Sequence, residues 1–184
     1  MQIVNINQEV IKRCYDFANE IINTNNQYNR LPATIDRRIE RTFVGKLAEY
    51  SFLLFLKEEG INYPEGDMFQ IFNGQENVDN YDFITNNGNA VDIKSASKPN
   101  HRRIMVPIDQ FNNIPKDYYV GIKLNTEVTD DDKIIINSIQ SARIYGYCTY
   151  QSLQQTHTRS FGEGPCKHMY LNRLHNIYDL IRMF

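Results

Sequence analysis

The chain has no apolar run long enough to cross a bilayer. Its densest hydrophobic stretch, Ser51 to Leu56, covers six residues, where a spanning helix needs about 20. No membrane partner is expected on that ground. The N-terminal segment Met1-Gln2-Ile3-Val4-Asn5 has no basic region followed by an apolar one, so no signal peptide is expected either. Cysteine is scarce: Cys14, Cys148 and Cys166 are too far apart to give a metal-ligand spacing, and three thiols cannot all pair internally. The simple reading is a reducing cytoplasm, and the lack of a cysteine cluster argues against an iron–sulfur centre. No charge of one sign dominates, with 20 Lys and Arg against 22 Asp and Glu and a net charge of −2. The chain is no polycation, so contact with a polyanion would have to rest on a local patch. Internal repeats and interdomain linkers are absent, and 184 residues fit a single domain over 1–184 with one substantial core.

What is present begins with helical periodicity. Val10, Cys14, Phe17, Ala18 and Ile21 recur at helix spacing, predicting a helix over 7–23 with Asn7 as a candidate cap. A second, longer helix is expected to start at Thr34 or Asp36 and end near Gly60. Its first half carries Arg37, Arg38, Arg41 and Lys46, and its second half is dominated by Phe52 to Leu56. At 100° per residue, Arg38, Thr42, Gly45 and Glu49 share one narrow stripe, where Gly45 lets a strand or a phosphate come close. Read alone, Glu49 is most simply a solvated helix residue paired with Lys46 or Arg41.

Further strands are predicted at 67–73, 104–108, 118–124, 133–139 and 142–149, with a short helix over 150–155. Residues 156–168 read as a polar loop carrying His157, Arg159, Lys167 and His168 with Phe161 among them, most simply an ordinary surface loop, although basic residues with an aromatic can contact DNA. The apolar stripe Leu171, Leu174, Ile177, Tyr178 and Ile181 predicts a final helix.

The most informative stretch is Tyr81 to Lys94. It reads as two strands joined at Asn86-Asn87-Gly88. Side chains alternate between the faces of a strand, so Asp92 and Lys94 point one way while Val91 and Ile93 point the other. A two-residue turn at Asn87-Gly88 would set Asp82 against Ile93. A three-residue loop, ending in a glycine with positive φ, would set Asp82 against Asp92 and Phe83 against Val91. The three-residue loop is the prediction. It collects Asp82, Asp92 and Lys94 on one face, where paired carboxylates repel each other unless a hard cation sits between them. Asp79 is a rival for the first acid, but it lies in a polar loop rather than in an alternating strand. Just past the hairpin, Lys98, His101, Arg102 and Arg103 form a basic patch that is either a solvated loop or a contact for a phosphate backbone.

A helical Glu, an Asp, and then Asp-x-Lys on the following strand resemble the signature of the PD-(D/E)xK nucleases, the restriction-endonuclease-like phosphodiesterases. The resemblance runs from about Arg37 to Lys94 and extends to Ala142–Tyr147, similar to a late core strand of that family. It departs at Tyr81, where the family often has proline. The resemblance implies an α/β fold with a central mixed sheet flanked by helices. It further implies Mg²⁺, with Mn²⁺ as a substitute, held by Asp82, Asp92, the Ile93 carbonyl and Glu49. Lys94 would position water and stabilise negative charge, making Glu49, Asp82, Asp92 and Lys94 the catalytic set. Arg38, Arg41, Lys46, Lys98, His101, Arg102 and Arg103 would contact nucleic acid, DNA ahead of RNA. Cutting both strands of a duplex would favour a homodimer. The alternative is a non-catalytic nucleic-acid-binding module on the same fold.

Overall fold

In the computed structural model, residues 1–24, 33–71, 81–161 and 164–184 are described. A five-stranded mixed sheet forms the centre. It is built from β1 (Gln2–Asn5), β2 (Phe83–Ile84), β3 (Ala90–Ala96), β5 (Tyr118–Asn125) and β6 (Ser141–Thr149), in the order β1-β6-β5-β3-β2. All neighbours are antiparallel except β3 and β5, which run parallel. The parallel pair needs a crossover. Residues 97–117 supply it, and they contain β4 (Arg103–Pro107) and α3 (Ile108–Asn113). Strand β4 belongs to a second, three-stranded antiparallel sheet with β7 (Arg159–Ser160) and β8 (Pro165–Tyr170), ordered β4-β8-β7.

Two long helices cover one face of the central sheet. Helix α1 (Gln8–Asn23) starts at Asn7, whose side chain accepts the Val10 N–H at 2.9 Å. Helix α2 (Ile35–Glu58) starts at Thr34, whose hydroxyl accepts the Arg37 N–H. The central half of α2 is buried on most sides: Phe43, Leu47, Phe52, Leu53 and Leu56 are fully enclosed. They meet Val91, Val120, Ile122 and Ile144 from the sheet in the larger core. Each such side chain contributes about 1.5–3 kcal/mol by leaving water. The opposite face of β5 and β6, through Tyr119 and Cys148, packs with Ile104, Val106, Phe111 and Leu171 in a smaller core under the second sheet. Gly121 of β5 makes that approach possible, because a Cβ there would stand 2.6 Å from Leu174 Cδ1 and 2.9 Å from Ile104 Cγ2. Two short helices, α4 (Tyr150–Gln154) and α5 (Ile177–Ile181), close the ends.

Four local expectations are revised. Residues 66–69 form a turn, not the start of a strand over 67–73, and 72–73 lie outside the described residues. The segment 133–139 makes one bridge, Val128 to Ile134, and a short 3₁₀ turn, Ile136–Ser138. The polar stretch 156–168 contains β7 and part of β8; its polar residues sit on a sheet that covers the smaller core with only a few apolar side chains. The terminal apolar stripe is split into a 3₁₀ turn, Leu171–Arg173, and α5, because Leu171 and Leu174 pack on the smaller core and Ile177 and Ile181 on the larger. All three cysteines are free and buried. Among the described residues no helix is long and apolar enough to cross a membrane.

Candidate active site

The β2–β3 hairpin has the register that the three-residue loop requires, with Phe83 opposite Val91 and Ile84 opposite Ala90. Gly88 closes the loop at φ +81°, and its N–H donates to the Thr85 carbonyl at 2.9 Å. A side chain with a Cβ is disfavoured at that φ. The hairpin is clamped from three sides. Tyr63 OH accepts the Ile84 N–H at 3.0 Å, Met183 O accepts the Asn86 N–H at 2.8 Å, and Asp117 Oδ2 accepts the Ala90 N–H at 2.7 Å. Beneath it, Phe83 packs between Phe52 and Tyr63, with ring centroids 4.9 and 5.1 Å away.

Asp82 continues the ladder with its side chain: Oδ2 accepts the Ile93 N–H at 2.6 Å. Ile93 thus enters the site through its N–H. Asp92 is 7% exposed and lies between Val91 and Ile93, which enter the larger core. Lys94 Nζ stands 2.6 Å from Asp92 Oδ2, an ion-pair distance. Asp92 Oδ2 is a buried oxygen that accepts no hydrogen bond. Lys94 Nζ also donates to Gln110 Oε1 of α3 at 3.2 Å. The Asp82 pKa is pushed well above the ordinary carboxylate range, first by burial, then by the Glu49 and Asp92 carboxylates; the Ile93 N–H and Lys94 oppose the rise. That repulsion is the electrostatic sign of three acids facing one region.

Glu49 has a second attachment. Lys46 Nζ is 2.5 Å from Glu49 Oε2, and both side chains are largely enclosed. Lys46 is only 8% exposed and its ammonium lies 5.0 Å from the Phe17 ring centroid. Instead of facing a solvent-borne phosphate, Lys46 turns inward to Glu49, because α1 packs over that side of α2. Among the described residues, no three His, Cys, Asp or Glu side chains form a group that could hold a metal ion. Asp79 lies outside the described residues.

The basic residues are dispersed. Arg41 is exposed, while Arg38 is half-buried with its Nε lacking a hydrogen-bond partner. Lys98 pairs with Asp132 at 2.5 Å. His101 Nδ1 faces the Ser97 and Lys98 N–H groups at 3.5 and 3.4 Å, a local loop contact. Arg102 is exposed. Arg103 lies on β4 with its guanidinium 4.0 Å from the Tyr170 ring centroid, which directs it toward the second sheet. Gly45 meets no packing demand, since a Cβ there would find nothing within 4 Å.

Two residues join the site that the sequence reading did not single out. Lys116, 4% exposed, precedes β5. Its pKa is lowered by burial; Asp92 and Asp82 pull it back up, and Lys94 pushes it down. Its N–H donates to Tyr119 OH, and Tyr119 is the residue paired with Asp92 across the parallel strands. Gln110 is the other. Only the β3–β5 pairing and the crossover through α3 reveal them, and neither has a local sequence signal. No family model, curated protein or solved structure matches this chain.

Proposed function

We propose that the chain is a metal-dependent nuclease of the restriction-endonuclease-like type, hydrolysing phosphodiester bonds in DNA in preference to RNA. The observation that supports this reading is the charge cluster at the hairpin, where Asp82 interacts with Glu49 and Asp92 and Lys94 Nζ stands 2.6 Å from Asp92 Oδ2. The donor set suits a hard divalent cation: oxygens from acids that repel one another, one of them a buried oxygen without a hydrogen-bond donor. Asp82 and Asp92 would hold Mg²⁺ or Mn²⁺, with Glu49 joining after release from Lys46. Such an ion supplies an acidified water and neutralises charge on the phosphate. The chain's own part is to fix the two carboxylates by the Ile93 N–H and the sheet, and to keep a cation at Lys94 Nζ. An ammonium has three N–H donors, and Gln110 accepts from one of them. A remaining donor would meet the charge that develops on phosphate oxygen.

The non-catalytic binding module has two observations in its favour: Glu49 is paired with Lys46, and no complete metal-holding group is formed among the described residues. The two readings part in one experiment. Plasmid, linear duplex, single-stranded DNA and RNA are incubated with protein in Mg²⁺, Mn²⁺, Ca²⁺ or EDTA. Nuclease action predicts cutting in Mg²⁺ or Mn²⁺ and none in EDTA. Binding without turnover is expected in Ca²⁺, whose looser coordination positions water poorly. Asp92→Asn and Lys94→Met should each lower the rate at least ~100-fold. Nucleic-acid binding with no cutting under any condition would favour the module.

A further inference from the structure

On the far side of the smaller core, α4, β7, β8 and the Leu171–Arg173 turn enclose a cleft of about 790 Å³. Its basic lining consists of His157, Arg159, His168, Arg173 and His175, and among the described residues no carboxylate lines it. Arg159, Arg173, His157 and His175 are exposed at its mouth. Deeper in, His168 has both ring nitrogens buried without a hydrogen-bond partner. In any protonation state an imidazole carries at least one N–H, so a donor is held inside with no acceptor. Its pKa is lowered by burial and by Arg103, Arg159 and His157. A bound anion would satisfy the orphaned donor and relieve the clustered positive charge at once. The ring of Tyr170 also lines the cleft, and the Phe161 ring stands edge-on to His168 at 5.2 Å, giving flat apolar surface beside the cations.

We propose that this cleft is a phosphate-binding site for a nucleotide unit, with Arg159 and Arg173 gripping the phosphate and His168 donating to it from below. The chemistry is common to a phosphodiester of a single strand and to the phosphates of a free nucleotide. The site is formed by the second sheet and is independent of the Asp82–Asp92 hairpin, so it stands whether or not the chain cuts nucleic acid.

The test is binding of a short fluorescent single-stranded oligodeoxynucleotide, and separately of ATP, to the full chain in EDTA. Metal-dependent cutting cannot contribute there. The Arg159→Ala/Arg173→Ala double variant alters two exposed side chains, and its fold is checked by circular dichroism. It should weaken binding ~10-fold or more. It should also flatten the salt dependence of oligonucleotide binding by about 0.7 in log–log slope per arginine. Lys12→Ala/Arg182→Ala removes the same charge elsewhere and should change binding less than about twofold. Displacement of the oligonucleotide by ATP or inorganic phosphate identifies a free phosphate ligand; resistance to both identifies a strand. Failure of wild type to bind either probe, or equal weakening in the two double variants, overturns the proposal.

Discussion

At the residue scale, the Asp82 carboxylate is where the proposed function and stability oppose each other. Burial, Glu49 and Asp92 raise its pKa in the folded chain. The folded state therefore retains a proton over a pH range in which an unfolded aspartate, titrating near 3.9, has already lost it. Stability falls as pH rises through that window, and the loss is complete above the folded pKa. Asp82→Asn keeps an oxygen for the Ile93 N–H and removes the charge. Its Tm in EDTA at pH 7 should exceed that of wild type, by about 2–4 °C for each kcal/mol recovered. Below about pH 4 the gain should vanish. A lower Tm at pH 7 would mean that the ionised carboxylate is held by donors stronger than the Ile93 N–H. Divalent metal should reverse the order: Mg²⁺ raises the Tm of wild type and leaves Asp92→Asn unmoved, if the acids bind the ion only when folded.

At the scale of elements, the hairpin is short and owes its position to its neighbours. Strand β2 has two residues, too few to hold register through its own ladder. Phe83 beneath it and Gly88 at its tip set the register instead. Phe83→Ala removes a fully buried ring from between Phe52 and Tyr63, and should cost about 3–5 kcal/mol in urea unfolding. Gly88→Ala places a Cβ at φ +81° in open space, so only the backbone conformation is penalised, by about 1–2 kcal/mol. The proposed nuclease activity should fall further than stability explains in both variants, because Asp82 is the residue next to the loosened pair. Activity per folded molecule equal to wild type would show that Asp82 is not needed.

At the scale of the whole molecule, the 171–175 segment meets the central sheet at a pair of glycines. Gly121 lies opposite Gly146, at a break in the β5–β6 register. The two should respond differently to the same substitution. A Cβ on Gly121 would press on the ends of flexible side chains, Leu174, Ile104 and Leu171, an overpacking of about 1–3 kcal/mol. On Gly146, at φ +144°, it would stand 2.1 Å from the His175 carbonyl oxygen, and backbone cannot yield as a side chain does. Gly146→Ala should therefore be the more destabilising by at least ~1 kcal/mol in urea unfolding, with separation of the Tyr147–His175 bridge as its structural mark. Equal losses would show that the 171–175 segment is free to move away.

The sequence by itself determined the features set by local periodicity and turn chemistry. These were the two long helices, with Asn7 at the start of the first, the hairpin and its three-residue loop. A period of two residues and one glycine suffice for that, since both act within a few bonds. It could not show the crossover that sends β4 into another sheet, the fragmentation of the last apolar stripe, or strands β7 and β8 within a polar stretch. Their side chains are claimed by two separate cores. The same holds for the electrostatics. Only the packing of α1 on α2 turned Lys46 toward Glu49. Only the parallel pairing of β3 with β5 brought Lys116 and Tyr119 to Asp92. Which charges meet in a buried site depends on contacts between distant segments, and tertiary structure alone decides those.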